Sequence, residues 1–209
     1  AVDFLGADLN ATSGSDSSSV RLHTPVARLA DALPLMADVA QRPRFEQADL
    51  DRLRQQRLTS ILQGRDDANT IASLAYARVL YGTAHRFGTA TMGTAETLRG
   101  FTVDDLRRFH ASIYRPDNAA LIVVGDVTPA AVVPLLEKQF GGWKPQVTGP
   151  VAHVKQPAPP QRTRREVFLV DKPGAPQTQI RIGLVGVPRS TPDYFPLEIT
   201  NTVLGGSFM

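Results

Sequence analysis

The sequence predicts an α+β fold, and three observations favour that class. Several stretches repeat apolar residues at the spacing of about 3.6 residues that marks amphipathic helices. Shorter stretches alternate apolar and polar residues, or are apolar throughout, as strands are. Their order is helices, strand and helix, followed beyond residue 150 by two strands and a helix, which is typical of α+β proteins. With 209 residues, 42% of them hydrophobic, the chain is long enough to bury a core.

The first hundred residues predict a hairpin, three helices and a loop. Turn-forming Ser, Gly and Asp residues separate two strand-like stretches, and Asp66-Asp67 has the composition of a helix cap. The Arg42-Pro43 pair ends the first long helix, because a proline disfavours helical geometry in the residue before it. The predicted elements are a helix end closed by Gly6, strands at 8–13 and 18–24, helices at 26–40, 46–64 and between Asp67 and Gly82, and a loop at 83–100.

The second half predicts two further helices and three strands. Thr102 with Asp105 resembles a capping box, and Thr128-Pro129 combines an N-cap with a proline at the first helical position. The predicted elements are helices from Thr102 to Ile113, from Thr128 to Phe140 and from Thr191-Pro192 to Leu204, a turn at 114–118, a buried strand at 119–124, and strands at 166–170 and 178–186.

The stretch 144–163 holds five prolines and few large apolar residues, which is typical of a linker. Complete hydrophobic patterns precede and follow it. We therefore expect a first domain at 1–145 with its N-terminal portion missing, a Pro-rich linker at 146–163, and the start of a second domain at 164–209. The abrupt patterns at both ends predict a fragment of a longer polypeptide.

Composition excludes several classes of function. The net charge is +3 and no basic stripe with interleaved aromatic residues is present, so nucleic acid is not an expected partner. The absence of cysteine excludes disulfides, thiolate metal sites and cysteine nucleophiles. No apolar run approaches the roughly 20 residues that span a bilayer, and Ala1-Val2-Asp3-Phe4 does not resemble the start of a signal peptide.

The sequence contains no complete catalytic or metal-binding motif. His23, His85, His110 and His153 do not pair at the i, i+4 spacing that places two imidazoles on one helix face. No G-x-S-x-G motif occurs, and Gly205-Gly206-Ser207 lacks the lysine of a phosphate loop. The Asp66-Asp67 pair is interpreted as a helix cap and its neighbour. The chain alone is therefore expected to bind no metal or cofactor and to be catalytically inactive.

Several segments occur together in an order that resembles the pitrilysin/insulinase family of inverted zincins. The segments are 81–88 (YGTAHRFG), 92–98 (MGTAETL), 102–109 (TVDDLRRF), 114–118 (YRPDN) and 121–127 (LIVVGDV), with 5–13 (LGADLNATS) upstream and 170–178 (VDKPGAPQT) and 204–208 (LGGSF) downstream. The resemblance implies two-layer sheet-and-helix domains of the pitrilysin/insulinase (LuxS/metallopeptidase-like) type. It also implies two halves that close around a peptide.

The active half of such a peptidase carries H-x-x-E-H on a helix, with two zinc-binding histidines and a glutamate as general base. This motif is absent here, and its expected place falls before Ala1. The resemblance places the third ligand, a glutamate, at the position of Gly64, and a helper glutamate at that of Arg57. The resemblance therefore implies a non-catalytic half, whose zinc-bearing partner half holds the metal.

Three functions follow from the resemblance. The first is a zinc-less half that closes the peptide chamber with a homologous zinc-bearing half or subunit. The second is a truncated piece of a catalytically complete zinc endopeptidase, and the third is an assembly subunit with the family fold and no peptidase role. For the first function, Leu9, Asn10, Ala11 and Thr12 are the expected peptide-binding residues, because they match the strand beside the catalytic cleft. The compartment stays open between periplasm and cytoplasm.

Overall fold

A computed structural model describes residues 2–151 and 154–206. These residues form one β-hairpin and seven α-helices, an α+β composition as predicted. The strands are β1 (Asp8–Ser13) and β2 (Ser18–His23), and the helices are α1 (Leu29–Gln41), α2 (Gln47–Gly64), α3 (Ala68–Tyr81), α4 (Ala95–Gly100), α5 (Val103–Ile113), α6 (Pro129–Phe140) and α7 (Tyr194–Asn201).

Helix α1 forms the centre of the buried core. It packs against β2 on one side and α6 on another. Its buried residues are mostly small: Ala32, Leu33, Ala37 and Ala40 are all almost fully covered. Small side chains let the backbones of neighbouring elements approach closely, so the alanines bring the hairpin and α6 onto the same helix.

Side chains cap three of the helices as the sequence predicts. Asp67 accepts a hydrogen bond from the backbone N–H of Thr70 at the start of α3, and the Thr128 hydroxyl accepts one at the start of α6. At α5, Thr102 and Asp105 form the predicted capping box. Hydrogen bonds from the Thr102 side chain and backbone hold the pKa of the Asp105 carboxyl below its usual range. Each cap satisfies a helix N–H group that has no partner inside the helix.

A buried histidine joins α5 to the end of α1. His110 Nε2 lies 2.9 Å from the carbonyl oxygen of Ala40. Its ring stacks on Tyr114 at 4.7 Å between centroids and meets the edge of Phe45 at 5.7 Å. Phe45 has a φ of 52°, which is an uncommon backbone conformation for a bulky residue. The contact with His110 therefore holds the connection between α1 and α2 in one conformation.

The structure differs from the sequence prediction at three strands. Residues 119–124, 166–170 and 178–186 are neither helix nor strand, and no ladder pairs them with any described residue. Apolar side chains in all three are therefore exposed, including Ile122 at 86%, Leu169 at 93% and Ile182 at 92%. A strand forms only when a neighbour satisfies its N–H and C=O groups, and the described residues supply none.

The helices α4 and α7 also differ from the sequence prediction. The loop predicted at 83–100 contains α4, which begins with a capping box between Thr94 and Thr97. Helix α7 begins at Tyr194 after Asp193, so Thr191 is not its N-cap. The hydroxyl of Thr191 instead accepts a hydrogen bond of 3.4 Å from the N–H of Asp193.

The loop after α3 depends on two glycines. Gly82 has a φ of 76° and a ψ of −178°, a conformation that residues with a Cβ rarely adopt. The chain then turns so tightly that a Cβ at position 88 would overlap the carbonyl oxygen of Gly82 and lie 2.9 Å from its carbonyl carbon. Between them, His85 is buried, and its Nδ1 accepts a hydrogen bond of 3.1 Å from the N–H of Phe87.

We predict that Gly88→Ala destabilises the protein by about 1–3 kcal/mol, because the added methyl group meets backbone that cannot move aside. The measurement is the free energy of unfolding in urea. Gly100→Ala is the matched control, since a Cβ there meets no atom within 4 Å. The control should be neutral or slightly stabilising. Equal stability of the two variants would contradict the close approach.

Candidate functional site

The four residues predicted to bind peptide lie on β1 of the hairpin. β1 pairs antiparallel with β2, from Asp8 opposite His23 to Ser13 opposite Ser18. β2 is the only hydrogen-bonded neighbour of β1 among the described residues. The other edge of β1 is consequently a free sheet edge.

The register determines which backbone groups face that free edge. The N–H of Gly14 donates to the carbonyl oxygen of Ser17 at 2.9 Å, so these two residues form a hydrogen-bonded pair. Such pairs recur every second residue in an antiparallel ladder. Asn10 and Thr12 therefore direct their N–H and C=O groups towards β2. Leu9, Ala11 and Ser13 direct theirs away from it.

The side chains of the predicted residues alternate between two faces of the hairpin. Leu9 is half-buried on the face that it shares with Leu22, while Ala11 on the same face is exposed. On the opposite face, the amide of Asn10 donates to both carboxylate oxygens of Asp8, at 2.8 and 2.9 Å. Thr12 forms a hydroxyl–hydroxyl hydrogen bond of 2.9 Å with Ser19. The four residues share a strand, but only Leu9 and Ala11 offer backbone groups at its free edge.

A residue that the sequence interpretation missed contacts the turn of this hairpin. Arg86 Nη2 donates to the carbonyl oxygen of Gly14 at 3.0 Å. The contact joins residues 72 positions apart. Arg86 lies within the quoted segment 81–88, but no local pattern signals a contact with the turn.

The position assigned to the third zinc ligand lies at the end of α2. A Cβ at Gly64 would lie 3.2 Å from Cγ2 of Thr70, so a side chain at this position would require the Thr70 side chain to shift slightly. Arg57, which lies seven residues before Gly64 in the same helix, is exposed. Asp66 accepts a hydrogen bond of 3.2 Å from Lys172, and Asp67 caps α3 as predicted. Neither carboxylate replaces the missing ligand.

The histidines do not converge either. His23 is exposed on β2, whereas His85 and His110 are buried in separate clusters of aromatic rings. His153 lies outside the described residues. Within residues 2–151 and 154–206, no three His, Asp or Glu side chains are close enough together to hold a metal ion. The residues in this described part of the chain therefore do not fit a zinc site. None of the described helices has the length and apolar content needed to cross a membrane.

Comparison with known families identifies a peptidase domain. The family described as the peptidase M16 inactive domain matches residues 100–208, just over half of the chain. Relatives match almost the entire chain. An uncharacterized zinc protease of Mycobacterium leprae is 26% identical over 99% of this chain, and the probable mitochondrial-processing peptidase subunit beta of Schizosaccharomyces pombe is 24% identical over 96% of it. The chain spans only 46% and 43% of these two relatives.

Solved structures share the fold. The peptidase M16 inactive domain from Pseudomonas fluorescens superposes with a TM-score of 0.68 and 29% identity, over 77% of this chain and 39% of that structure. A protease from Helicobacter pylori gives a TM-score of 0.67 at 21% identity, over 77% of this chain and 38% of that one. The first half of the periplasmic protease PqqL from Escherichia coli gives 0.58 at 22% identity, over 72% and 32%.

We predict that the isolated chain retains no stoichiometric zinc. Gly64 supplies no ligand, and the histidines of the described part lie in separate places. The measurement is the metal content after dialysis against a weak chelator. About one tightly held zinc per chain, bound at ordinary Zn–N and Zn–O distances of about 2.0–2.2 Å, would contradict this expectation.

Proposed function

The chain belongs to the peptidase M16 family through its inactive domain, and from this we propose that it is the non-catalytic half of a zinc peptidase. In this proposal the chain closes a peptide chamber together with a homologous half that carries the zinc. The partner half supplies the metal-activated water that hydrolyses the peptide. This chain contributes a wall of the chamber and a backbone edge on which the peptide is held.

The pairing of two halves is supported by length and by the family match. The chain spans less than half of each relative described above, so each of those proteins has room for a second portion of similar size. The matched family is described as inactive, whereas one of the relatives is named a zinc protease. A division between an inactive half and a zinc-bearing half accounts for both descriptions.

The observation that carries the proposal is the unprotected edge of β1. Proteins normally guard a free strand edge with lysine, proline or a bulge, because unpaired N–H and C=O groups attract other strands. The register of β1 with β2 is continuous from residue 8 to 13, and β1 contains no lysine, arginine or proline. An extended peptide can add to this edge through main-chain hydrogen bonds to Leu9 and Ala11. Such binding tolerates many peptide sequences.

We also propose the division into two family domains on either side of the linker. The described residues of 144–163, which are 144–151 and 154–163, contain no helix or strand and are mostly exposed. The later part of the linker is attached to the first domain, since Gln156 accepts from the N–H of Arg86 and Arg162 donates to the carbonyl oxygen of Val79. The freer part of the linker precedes these contacts.

We predict that trypsin first cleaves within the linker, residues 146–163, because exposed coil adapts to a protease more readily than helix does. Lys144 is not expected to compete, because trypsin rarely cleaves before proline and Pro145 follows it. The measurement is a time course of limited digestion followed by mass spectrometry. First cleavage at Arg52, Arg57 or Arg78, which lie in α2 and α3, would contradict the proposed division.

The peptide edge is tested by Ala11→Pro. This change removes one N–H from the free edge and leaves the hydrogen bonds to β2 in place. We predict that the complex purified through a tag on this chain contains about one zinc per pair of halves. We also predict that A11P lowers its turnover of a quenched fluorogenic decapeptide by about fivefold or more, as for the loss of one hydrogen bond.

Ala11→Val is the matched control, because valine suits a strand and keeps the N–H. It should retain the turnover of the unsubstituted complex. Equal turnover by A11P, with assembly and circular dichroism unchanged, would show that the peptide does not use this edge.

A further inference from the structure

The hairpin is attached to the rest of the domain unevenly. β2 packs against α1, and alternate residues of β2, among them Val20 and Leu22, are half-buried. Among the residues that the structure describes, β1 pairs with β2 alone, and most residues of β1 are exposed. The turn between the strands, residues 14–17, is closed by the single backbone hydrogen bond from Gly14 to Ser17. Without another contact, the turn and the free edge beside it would be the least constrained part of the hairpin.

Arg86 supplies that contact from a rigid base. Its backbone is fixed on both sides, since its N–H donates to Gln156 Oε1 at 3.1 Å and its carbonyl oxygen accepts from the hydroxyl of Thr89 at 2.8 Å. The loop around it is held by the contact of Gly88 with Gly82. From this base the guanidinium reaches the carbonyl oxygen of Gly14.

Aromatic packing makes the base rigid as well. The buried ring of His85 lies 5.1 Å from that of Tyr81 and 5.2 Å from that of Phe87. Tyr81 and Phe87 also meet edge to face at 5.4 Å. Three mutually contacting rings leave the loop few alternative conformations, so the position of Arg86 is determined by the end of α3.

We propose that Arg86 is a positioning residue for the peptide-binding edge, which it holds in place through the carbonyl oxygen of Gly14. The inference rests on the proposed function of β1 and extends it. A hydrogen bond from a charged donor is stronger than a neutral one and has a preferred direction. The hydrogen bond from Arg86 fixes the position of the turn relative to α3. The N–H and C=O groups of Ala11 and Ser13 that face the free edge lie just before that turn. Through Gln156, the same residue also links the edge to the linker.

The test uses the complex purified through a tag on this chain and the quenched fluorogenic decapeptide. Arg86→Ala should raise KM about fivefold and leave kcat within about twofold, because the edge is less well positioned while the zinc centre in the partner half is unaffected. The amide of Gly14 should exchange with deuterium about fivefold faster. Arg86→Lys, which keeps a charged donor, should restore at least half of the loss in affinity. Arg52→Ala is the matched control, since Arg52 pairs with Asp49 on exposed α2 and should change neither readout.

The double variant A11P/R86A separates this inference from the proposed function. If Arg86 acts through the edge, the double variant should turn over the decapeptide no more slowly than A11P alone, because the two changes affect one interaction. If A11P lowers decapeptide turnover but R86A leaves KM unchanged, the role of Arg86 is overturned and the edge proposal stands. An A11P variant with full turnover would overturn the edge proposal, and the role of Arg86 with it. If R86A does not fold, Arg86→Gln gives the same comparison, since its shorter neutral side chain cannot reproduce the charged contact.

Discussion

The close approach of Gly88 to the carbonyl group of Gly82 is the constraint on which the candidate site depends. The chain reverses so sharply after α3 that no side chain fits between these two backbone segments. The reversal buries His85 against Tyr81 and Phe87 and directs Arg86 towards the hairpin. A local backbone requirement thus determines a contact between parts of the chain that are distant in sequence.

The α1 helix provides the second fixed point. Its buried alanines accept β2 and α6 at short range, and its last turn receives the imidazole of His110 at Ala40. Gln41 extends the same junction, since its amide donates to the carbonyl oxygen of Gln139 at 3.0 Å. These polar contacts satisfy carbonyl groups at helix ends that would otherwise lack partners. The hairpin is therefore held at β2 by α1 and at its turn by the loop after α3.

Sequence reasoning was most successful where the determinants are local. The helices from α1 to α6, apart from α4, follow from apolar spacing and cap residues, and the caps at Asp67, Thr102 and Thr128 are confirmed. The hairpin follows from alternation around a turn and is also confirmed. The six-residue helix α4 was missed because it is too short to show periodicity.

Strands and the site were harder to predict because both depend on distant partners. The stretch 119–124 has the composition of a buried strand, but composition does not supply the neighbour that a ladder needs. The strand at Leu9–Thr12 could be placed from the sequence, whereas the outward direction of Ala11 required the register. Arg86 could not be assigned at all, because its partner Gly14 is 72 positions away and contributes only a backbone oxygen.

Under the proposed function, main-chain recognition explains how a half without a zinc site could still hold a peptide. A zinc site needs particular side chains in a fixed geometry, and neither a glycine at position 64 nor an arginine at position 57 can supply the carboxylates that the resemblance places there. A sheet edge needs only N–H and C=O groups, which every residue except proline provides in full. The absence of a ligand at the end of α2 therefore places no demand on the hairpin, which α1 contacts at β2 and Arg86 contacts at the turn. In the proposed half, the two requirements fall on different atoms and different elements, so the lack of zinc chemistry is compatible with a peptide-binding edge.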